Sequence, residues 1–222
     1  MTDNKPDFKK AYMLANDILV SSKTVLDFPI SIKSIVKEKG KGLVKCKSFS
    51  KAKIYNVDVR DFGSDSAVII KYHGKYVIFY DDSEPAYRIN FSIAHEFGHF
   101  LLKHNLNLPK GERYDCQEIE TNYFAAQLIM PEQIIRAVQK RGERIDKSFI
   151  KKTFNTSDEA ADKRLGTLAR TNYEMKSRTE KEYDDLILLK YRSFIDSICP
   201  LKSDFYDYDY EEEMQNKRNS WL

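Results

Sequence analysis

Two histidines and a glutamate interrupt an apolar segment, "FSIAHEFGHFLLKH", which spans residues 91–104. His95 and His99 are four residues apart, so on a helix they lie one turn above each other and can reach a single ion. Glu96 lies too far round the helix to be a natural ligand, but it can reach a water bound to that ion. A bound metal lowers the pKa of the water, and Glu96 would take its proton as general base. The pattern therefore predicts the chemistry of a zinc peptidase.

The surroundings of these residues favour a metal site over a chance surface pattern. Histidines and glutamates one turn apart can simply be ion partners on a helix surface. Here the flanking residues predict a buried helix, and they are Phe91, Ile93, Ala94, Phe97, Phe100, Leu101 and Leu102. Buried polar side chains need a partner, which a shared cation supplies. Gly98 would weaken the helix by about 1 kcal/mol, and we interpret it as room for a strand or a substrate backbone passing close by.

A catalytic zinc site takes a third protein ligand and keeps a fourth position open. His104 lies about 140° round the helix from His99 and is better explained as a helix-end histidine near the last carbonyl groups. The segment "QEIETNYFAAQLIMP" instead offers two carboxylates, Glu118 and Glu120, in an apolar setting. We favour Glu118, because Asn122 at i+4 could orient a ligating histidine. Glu120 is expected to point outward and stays the alternative.

Hydrophobic periodicity and turn residues predict the elements that position this site. Helices are expected at residues 7–21, after Pro29 as far as Gly40, at 88–105, 116–130 and 132–142, in two short pieces around "NTSDE" with Ser157 as a cap, and in one last helix at 180–198. Strands are expected at "GLVKCKSF" and in a hairpin, "AVIIKYHGKYVIFYD", with its turn at His73 and Gly74. In the hairpin's second strand, Val77 and Phe79 would face one way and Ile78 and Tyr80 the other.

The charge balance and the cysteine pattern exclude several classes of protein. The 222 residues include 37 Lys and Arg against 34 Asp and Glu, and the net charge of +3 is too small to argue for nucleic acid. Cys46, Cys116 and Cys199 lie far apart without a Cys-x-x-Cys pair, which excludes a disulfide framework and a thiolate zinc site. We expect a reduced, cytoplasmic compartment. The start of the chain has no signal-peptide pattern, and no apolar run is long enough to span a membrane.

Three segments of the chain resemble the ImmA/IrrE family of zinc metallopeptidases. "RINFSIAHEFGHFLLKH" is similar to the family's R-x-x-F-(S/T)-x-A-H-E-x-G-H, "EIETNYFAAQLIMP" to its E-x-E-A-N-x-F-A-A-x-L-L-M-P, and "FNTSDEAADKRLGTL" to its (V/N)-S-x-x-A-x-x-x-R-L-x-x-L. The resemblance covers about residues 8–170. The chain departs from the family pattern at Thr121, where alanine is usual, and at His104, which is displaced by one residue from a commonly seen histidine.

The resemblance implies a single Zn²⁺ ion held by His95, His99 and Glu118, with Glu96 as the catalytic acid and base. It also implies a protein substrate. Members of the family are linked to the cleavage of helix-turn-helix repressors, often encoded beside them, which relieves repression of integrative elements, prophages or stress regulons. We therefore expect a cytoplasmic zinc endopeptidase that cleaves such a repressor.

The predicted fold is α+β: a minimal zincin-like metallopeptidase core, with a small β-sheet and active-site helices, followed by C-terminal helical additions. Residues 1–142 would form the metallopeptidase core. Residues 143–170 would form a helix-turn-helix-like helical segment. Residues 171–222 would form a C-terminal helix and an acidic, flexible tail.

A rival interpretation is a non-catalytic regulator that binds a repressor or DNA and has a structural or vestigial metal site. Residues 145–170 could form a DNA-binding helix-turn-helix. Its basic face would consist of Lys151, Lys152, Lys163, Arg164 and Arg170. Asp158, Glu159 and Asp162 interrupt that face and would repel phosphates, so we expect no direct nucleic-acid binding. Glu96 favours catalysis, because a structural site needs no non-ligating carboxylate. We expect no membrane partner and leave the oligomeric state open.

Overall fold

The computed structural model describes residues 5–58, 66–171, 175–201 and 215–217. The helices and strands are, in chain order, α1 (Phe8–Ser21), α2 (Ile32–Lys39), β1 (Val44–Ser48), a 3-10 helix (Phe49–Tyr55), β2 (Ala67–Tyr72), β3 (Lys75–Tyr80), α3 (Ala86–Leu102), α4 (Glu112–Ile129), α5 (Glu132–Lys140), α6 (Lys147–Phe154), α7 (Asp158–Arg170), α8 (Arg178–Lys190) and α9 (Arg192–Ile198). A small sheet among many helices confirms the predicted α+β class, with a zincin-like core and C-terminal helices.

The three strands form one sheet in the order β1-β3-β2. β3 pairs in parallel with β1 and antiparallel with β2, so β2 lies at an edge of the sheet that the described residues form. The hairpin between β2 and β3 turns at His73 and Gly74, as predicted. Both residues have positive φ, 46° and 76°, which is the backbone of a two-residue type I′ turn.

The two faces of β3 are covered by different parts of the chain, as the alternation of its side chains predicts. Val77 and Phe79 pack with Ala52 of the 3-10 helix in a small outer cluster. Ile78 belongs to the main hydrophobic core, and Tyr80 packs against it. One face of the sheet is therefore available to support α3, the helix that follows the hairpin.

The main core extends from α1 to α9. Buried polar contacts reinforce it: the fully buried Arg164 of α7 donates from Nε to the carbonyl oxygen of Met130 (2.9 Å) and from its guanidinium to Gln127. Near α8, Lys176 donates to Asp184 across 2.7 Å, and both side chains are less than a tenth exposed. The Arg164 contacts attach α7 to the end of α4, and the Lys176 contact ties α8 to the residues before it.

Glu38 of α2 stabilises the connection between α1 and α2 through hydrogen bonds. Its carboxylate accepts hydrogen bonds from Ser22 Oγ (2.7 Å), the Lys23 backbone N–H (3.0 Å) and Thr24 Oγ1 (2.9 Å). Burial opposes ionisation, but these hydrogen bonds outweigh it and lower the pKa of Glu38 from the ordinary 4.5 to about 2.

The C-terminal part differs from the prediction in one respect. The break between α6 and α7 occurs as predicted, with Ser157 Oγ accepting from the Ala160 N–H across 3.1 Å. The last predicted helix, however, is two helices, because the backbone of Tyr191 leaves helical geometry (φ −100°, ψ 17°). Tyr191 is fully buried, and its hydroxyl donates to the carbonyl oxygen of Leu19 across 2.9 Å. Tertiary contacts with the end of α1 and the connection that follows it thus accompany the break.

The acidic tail predicted at residues 203–222 lies outside the described residues, apart from residues 215–217. Among the helices that the structure describes, none combines the length and the apolar character needed to cross a membrane.

Candidate metal centre

Helices α3 and α4 bring the three predicted ligands together. The Nε2 atoms of His95 and His99 lie 3.2 Å apart. Glu118 of α4 places Oε2 3.2 Å from His95 Nε2 and Oε1 3.3 Å from His99 Nε2. These residues form a cluster whose ligand atoms all lie within 4.8 Å of one another. The structure therefore places Glu118, the favoured carboxylate, beside both histidines.

The separations between the donor atoms fit one small cation. Bonds of about 2.0–2.1 Å in a tetrahedron place neighbouring donors about 3.3 Å apart. The two nitrogens lie 3.2 Å apart, and they lie 3.2 and 3.3 Å from different oxygens of Glu118, all close to that separation. Two imidazole nitrogens and a carboxylate are a donor set typical of a catalytic zinc site. Such a set leaves the fourth corner of the tetrahedron for solvent or substrate.

A close contact between the two helices makes this approach possible. A Cβ at Gly98 would lie 2.9 Å from Phe124 Cδ1 and 3.2 Å from Thr121 Cγ2, both on α4. The absence of a side chain at Gly98 lets α4 approach α3 in the turn that carries His99. Our interpretation of Gly98 as room for a strand or a substrate was wrong, because the close neighbour is α4.

Glu96 lies next to the ligand cluster and contacts the sheet. Its Oε2 accepts a hydrogen bond from the backbone N–H of Ile69 in β2 across 2.9 Å. This contact fixes the carboxylate through one oxygen and leaves Oε1 available to accept a proton. β2 thus positions Glu96, which is not one of the three side chains of the ligand cluster.

Asn122 orients His95, as its spacing from Glu118 predicted. Its Oδ1 lies 3.2 Å from His95 Nδ1, and an amide oxygen only accepts, so Nδ1 carries the proton. The lone pair of His95 then lies on Nε2, the atom that faces Glu118. Thr121, at the position of the family's usual alanine, places Oγ1 3.3 Å from the same Nε2.

His104 orients His99, a role that the sequence did not predict. α3 ends at Leu102, and Lys103 adopts a left-handed backbone (φ 60°), which turns the chain back on itself. His104 Nδ1 then lies 3.1 Å from His99 Nδ1, and His104 Nε2 lies 2.8 Å from Glu120 Oε2. One set of protons satisfies the whole relay: His99 donates to His104, which donates to Glu120. His99 Nε2 is then free of a proton.

Glu120 does not point outward, so that prediction was wrong. Its side chain is only 13% exposed. Besides His104, it accepts a hydrogen bond from the backbone N–H of Asp7 across 2.7 Å. Glu118 therefore contacts the two histidines of the donor cluster directly. Glu120 contacts His104, which in turn contacts His99. In the sequence, the presence of a second glutamate in "EIE" was the feature that could have indicated this contact.

Burial and neighbouring charges displace the pKa values of the site. Burial raises the pKa of Glu96 above its ordinary value, although the charges of His95 and His99 oppose the rise. Burial would also raise the pKa of Glu118, but hydrogen bonds from His95 and His99, formed when these rings carry a proton on Nε2, hold it well below its ordinary range. Burial lowers the pKa of His104, although its hydrogen bond to Glu120 opposes the shift. A neutral His104 agrees with its place in the relay.

The candidate site opens into a cavity of about 1240 Å³. Its walls include His95, Glu96, His99 and Glu118, the start of β2 at residues 66–69, and much of α7. A space of this size accommodates a segment of polypeptide rather than a single small molecule.

A helix-borne His-Glu-x-x-His segment with a carboxylate from a second helix is the arrangement of a large class of metallopeptidases. The family model of the IrrE N-terminal-like domain, peptidase family M78, matches residues 50–166, more than half of the chain. The chain therefore belongs to this family of metallopeptidases, which confirms the resemblance seen in its sequence. A search of curated proteins finds no match.

Proposed function

We propose that this protein is a zinc-dependent endopeptidase, with His95, His99 and Glu118 as ligands of one Zn²⁺ ion. The observation that carries the proposal is the convergence of both Nε2 atoms and the carboxylate of Glu118, at separations of 3.2–3.3 Å, beside the partly buried Glu96. When bound, the ion would supply an acidified water and polarise the scissile carbonyl group.

Glu96 would be the general base and then the general acid. Its raised pKa, caused first by burial, makes the carboxylate a better proton acceptor than an exposed glutamate. Oε1 would accept the proton from the attacking water, while the Ile69 N–H holds Oε2 in place. The same Oε1 would return that proton to the amine nitrogen as the peptide bond breaks.

The edge strand β2 would hold the substrate. The Ile69 N–H points away from β3, because it reaches Glu96 instead of the ladder, and residues 66–69 line the cavity. An extended peptide can add to such an edge through backbone hydrogen bonds. Binding through the backbone of an internal segment suits an endopeptidase.

The test of this mechanism is Glu96→Gln. Gln has the shape of Glu but cannot accept a proton, so the variant should fold, bind zinc as the parent does and lose cleavage. Zinc content would be measured by mass spectrometry of the purified protein, and cleavage by gel electrophoresis. Normal cleavage by Glu96→Gln protein would refute the mechanism.

We infer that the substrate is a helix-turn-helix repressor in the cytoplasm, cut to relieve repression of a mobile element, prophage or stress regulon. The membership in the IrrE-like family supports this inference. The test is co-expression with the helix-turn-helix protein encoded next to this one, with and without a zinc chelator. One defined, chelator-sensitive cut is expected, and an intact partner in both conditions would refute the choice of substrate.

A further inference from the structure

The cavity of the metal centre continues along α4 to α7. The cavity is lined at intervals of four residues by Glu118, Asn122 and Ala126 of α4 and by Met130, which directly follows that helix. They form one stripe, and the twelve steps from Glu118 to Met130 correspond to about 18 Å. An extended chain needs about five residues to cover that length. The cavity thus reaches well beyond the residues that would carry out the chemistry.

The distant end of this stripe is bounded by α7. Arg164 of α7 donates to the carbonyl oxygen of Met130, so α7 is fixed where α4 ends. Lys163, Gly166 and Thr167 of α7 line the cavity. Because Arg164 is fully buried and bonded to the core, α7 is a built wall of the cavity rather than a loosely attached helix.

Gly166 is the unusual residue in this wall. It is the ninth of thirteen residues of α7, and glycine is the least favourable helix-interior residue after proline. Nothing in the described protein requires it, because a Cβ at Gly166 would meet no atom within 4 Å. Gly98 differs in this respect, since a Cβ there would collide with α4. The fold explains Gly98 and leaves Gly166 unexplained.

We propose that Gly166 is a specificity-determining residue that lets a polypeptide substrate lie directly against α7, several residues away from the scissile bond. This inference rests on the proposed peptidase function and names how its substrate is recognised. Contact at that distance would add binding energy for long substrates only. Contact at Gly166 should therefore strengthen the binding of a protein segment and leave the binding of a short peptide unchanged.

The first test concerns the fold alone and needs no substrate. Because the space beside Gly166 is open, Gly166→Ala should raise the thermal midpoint of the zinc-loaded protein by about 1–4 °C. Calorimetry would measure this shift. A lowered midpoint would overturn the proposal, since it would mean that the fold itself requires the glycine.

The second test compares long and short substrates. A randomised pool of quenched-fluorescent decapeptides would identify a cleaved sequence, which is then shortened to a tetrapeptide around its scissile bond. Gly166→Leu should raise KM for the decapeptide by about tenfold or more, keep kcat within about twofold, and leave the tetrapeptide unaffected. The control is Ala169→Leu, on the same helix at an exposed position that does not line the cavity. Equal decapeptide KM values for the two variants would overturn the proposal while leaving the peptidase function intact.

A binding assay distinguishes a loss of substrate recognition from a loss of catalysis. The fluorescein-labelled decapeptide pool would be titrated with Glu96→Gln protein, with and without Gly166→Leu, and followed by anisotropy. A binding loss of about tenfold caused by Gly166→Leu, with no cleavage by the parent protein, would support recognition at α7 and refute the proposed function. Equal binding, or no binding of any peptide, would overturn the role of Gly166.

Discussion

The relay behind His99 predicts that Glu120 controls the affinity for zinc without binding the ion. Both oxygens of Glu120 accept hydrogen bonds, one from the Asp7 N–H (2.7 Å) and one from His104 Nε2 (2.8 Å). In Glu120→Gln, one oxygen is replaced by an NH₂ group. The NH₂ group then faces either the Asp7 N–H, so that this contact is lost, or His104 Nε2, which can accept from it only after giving up its own proton.

The consequence for His99 follows from the protons of the relay. If the amide introduced by Glu120→Gln donates to His104 Nε2, the proton of His104 moves to Nδ1, which lies 3.1 Å from His99 Nδ1. His99 must then carry its own proton on Nε2, the atom that would bind zinc. Loss of such supporting contacts typically costs about 10–100-fold in metal affinity, which corresponds to about 1.4–2.8 kcal/mol.

The assay is a competition between the purified protein and a chromophoric zinc chelator at neutral pH. We expect a Kd about 10–100-fold weaker for Glu120→Gln and an unchanged Kd for Glu112→Gln, the same substitution in the exposed first turn of α4. The double variant Glu120→Gln with His104→Ala should bind no more weakly than His104→Ala alone, because both act through one relay. An unchanged Kd for Glu120→Gln, or additive losses in the double variant, would refute the reasoning.

Three further predictions concern other parts of the fold. Glu118→Ala should lose more bound zinc than Glu120→Ala, as measured by mass spectrometry, and the reverse order would show that the wrong carboxylate was chosen. Gly98→Ala should lower the free energy of unfolding by about 1–3 kcal/mol in urea titrations, because its Cβ would press on Phe124; unchanged stability would contradict that close contact. Glu38→Gln should cost about 1–2 kcal/mol at pH 7. Because the pKa of Glu38 is lowered to about 2 in the folded protein, that cost should be complete above about pH 4.5 and shrink as the pH falls toward 2. A cost that stays constant over this range would exclude ionisation of Glu38 as its cause.

The parts of the site that lie within one helix could be predicted from the sequence. The spacing of His95 and His99 fixes their relation through the geometry of a single turn. Glu118 could be preferred over Glu120 because Asn122 lies one turn further along the same face. The hairpin and the faces of β3 were also predictable, since they depend on turn residues and on strict alternation.

The remaining parts depend on tertiary contacts that no local pattern records. His104 could not be assigned, because a left-handed Lys103 brings it back beside His99. Helical geometry, continued past Leu102, places it on a different side. The neighbour of Gly98 could not be predicted either, because it depends on how closely α4 approaches α3. The interruption at Tyr191 coincides with a contact between residues 172 positions apart.

The hydrogen bond from the Asp7 backbone to Glu120 has a practical consequence for how the protein is produced. It joins the residue that caps the start of α1 to the relay behind a candidate ligand, over a sequence separation of 113 residues. Shortening the chain past Asp7 would remove this donor. Preparations with and without Asp7 should therefore be compared for zinc content before their activities are.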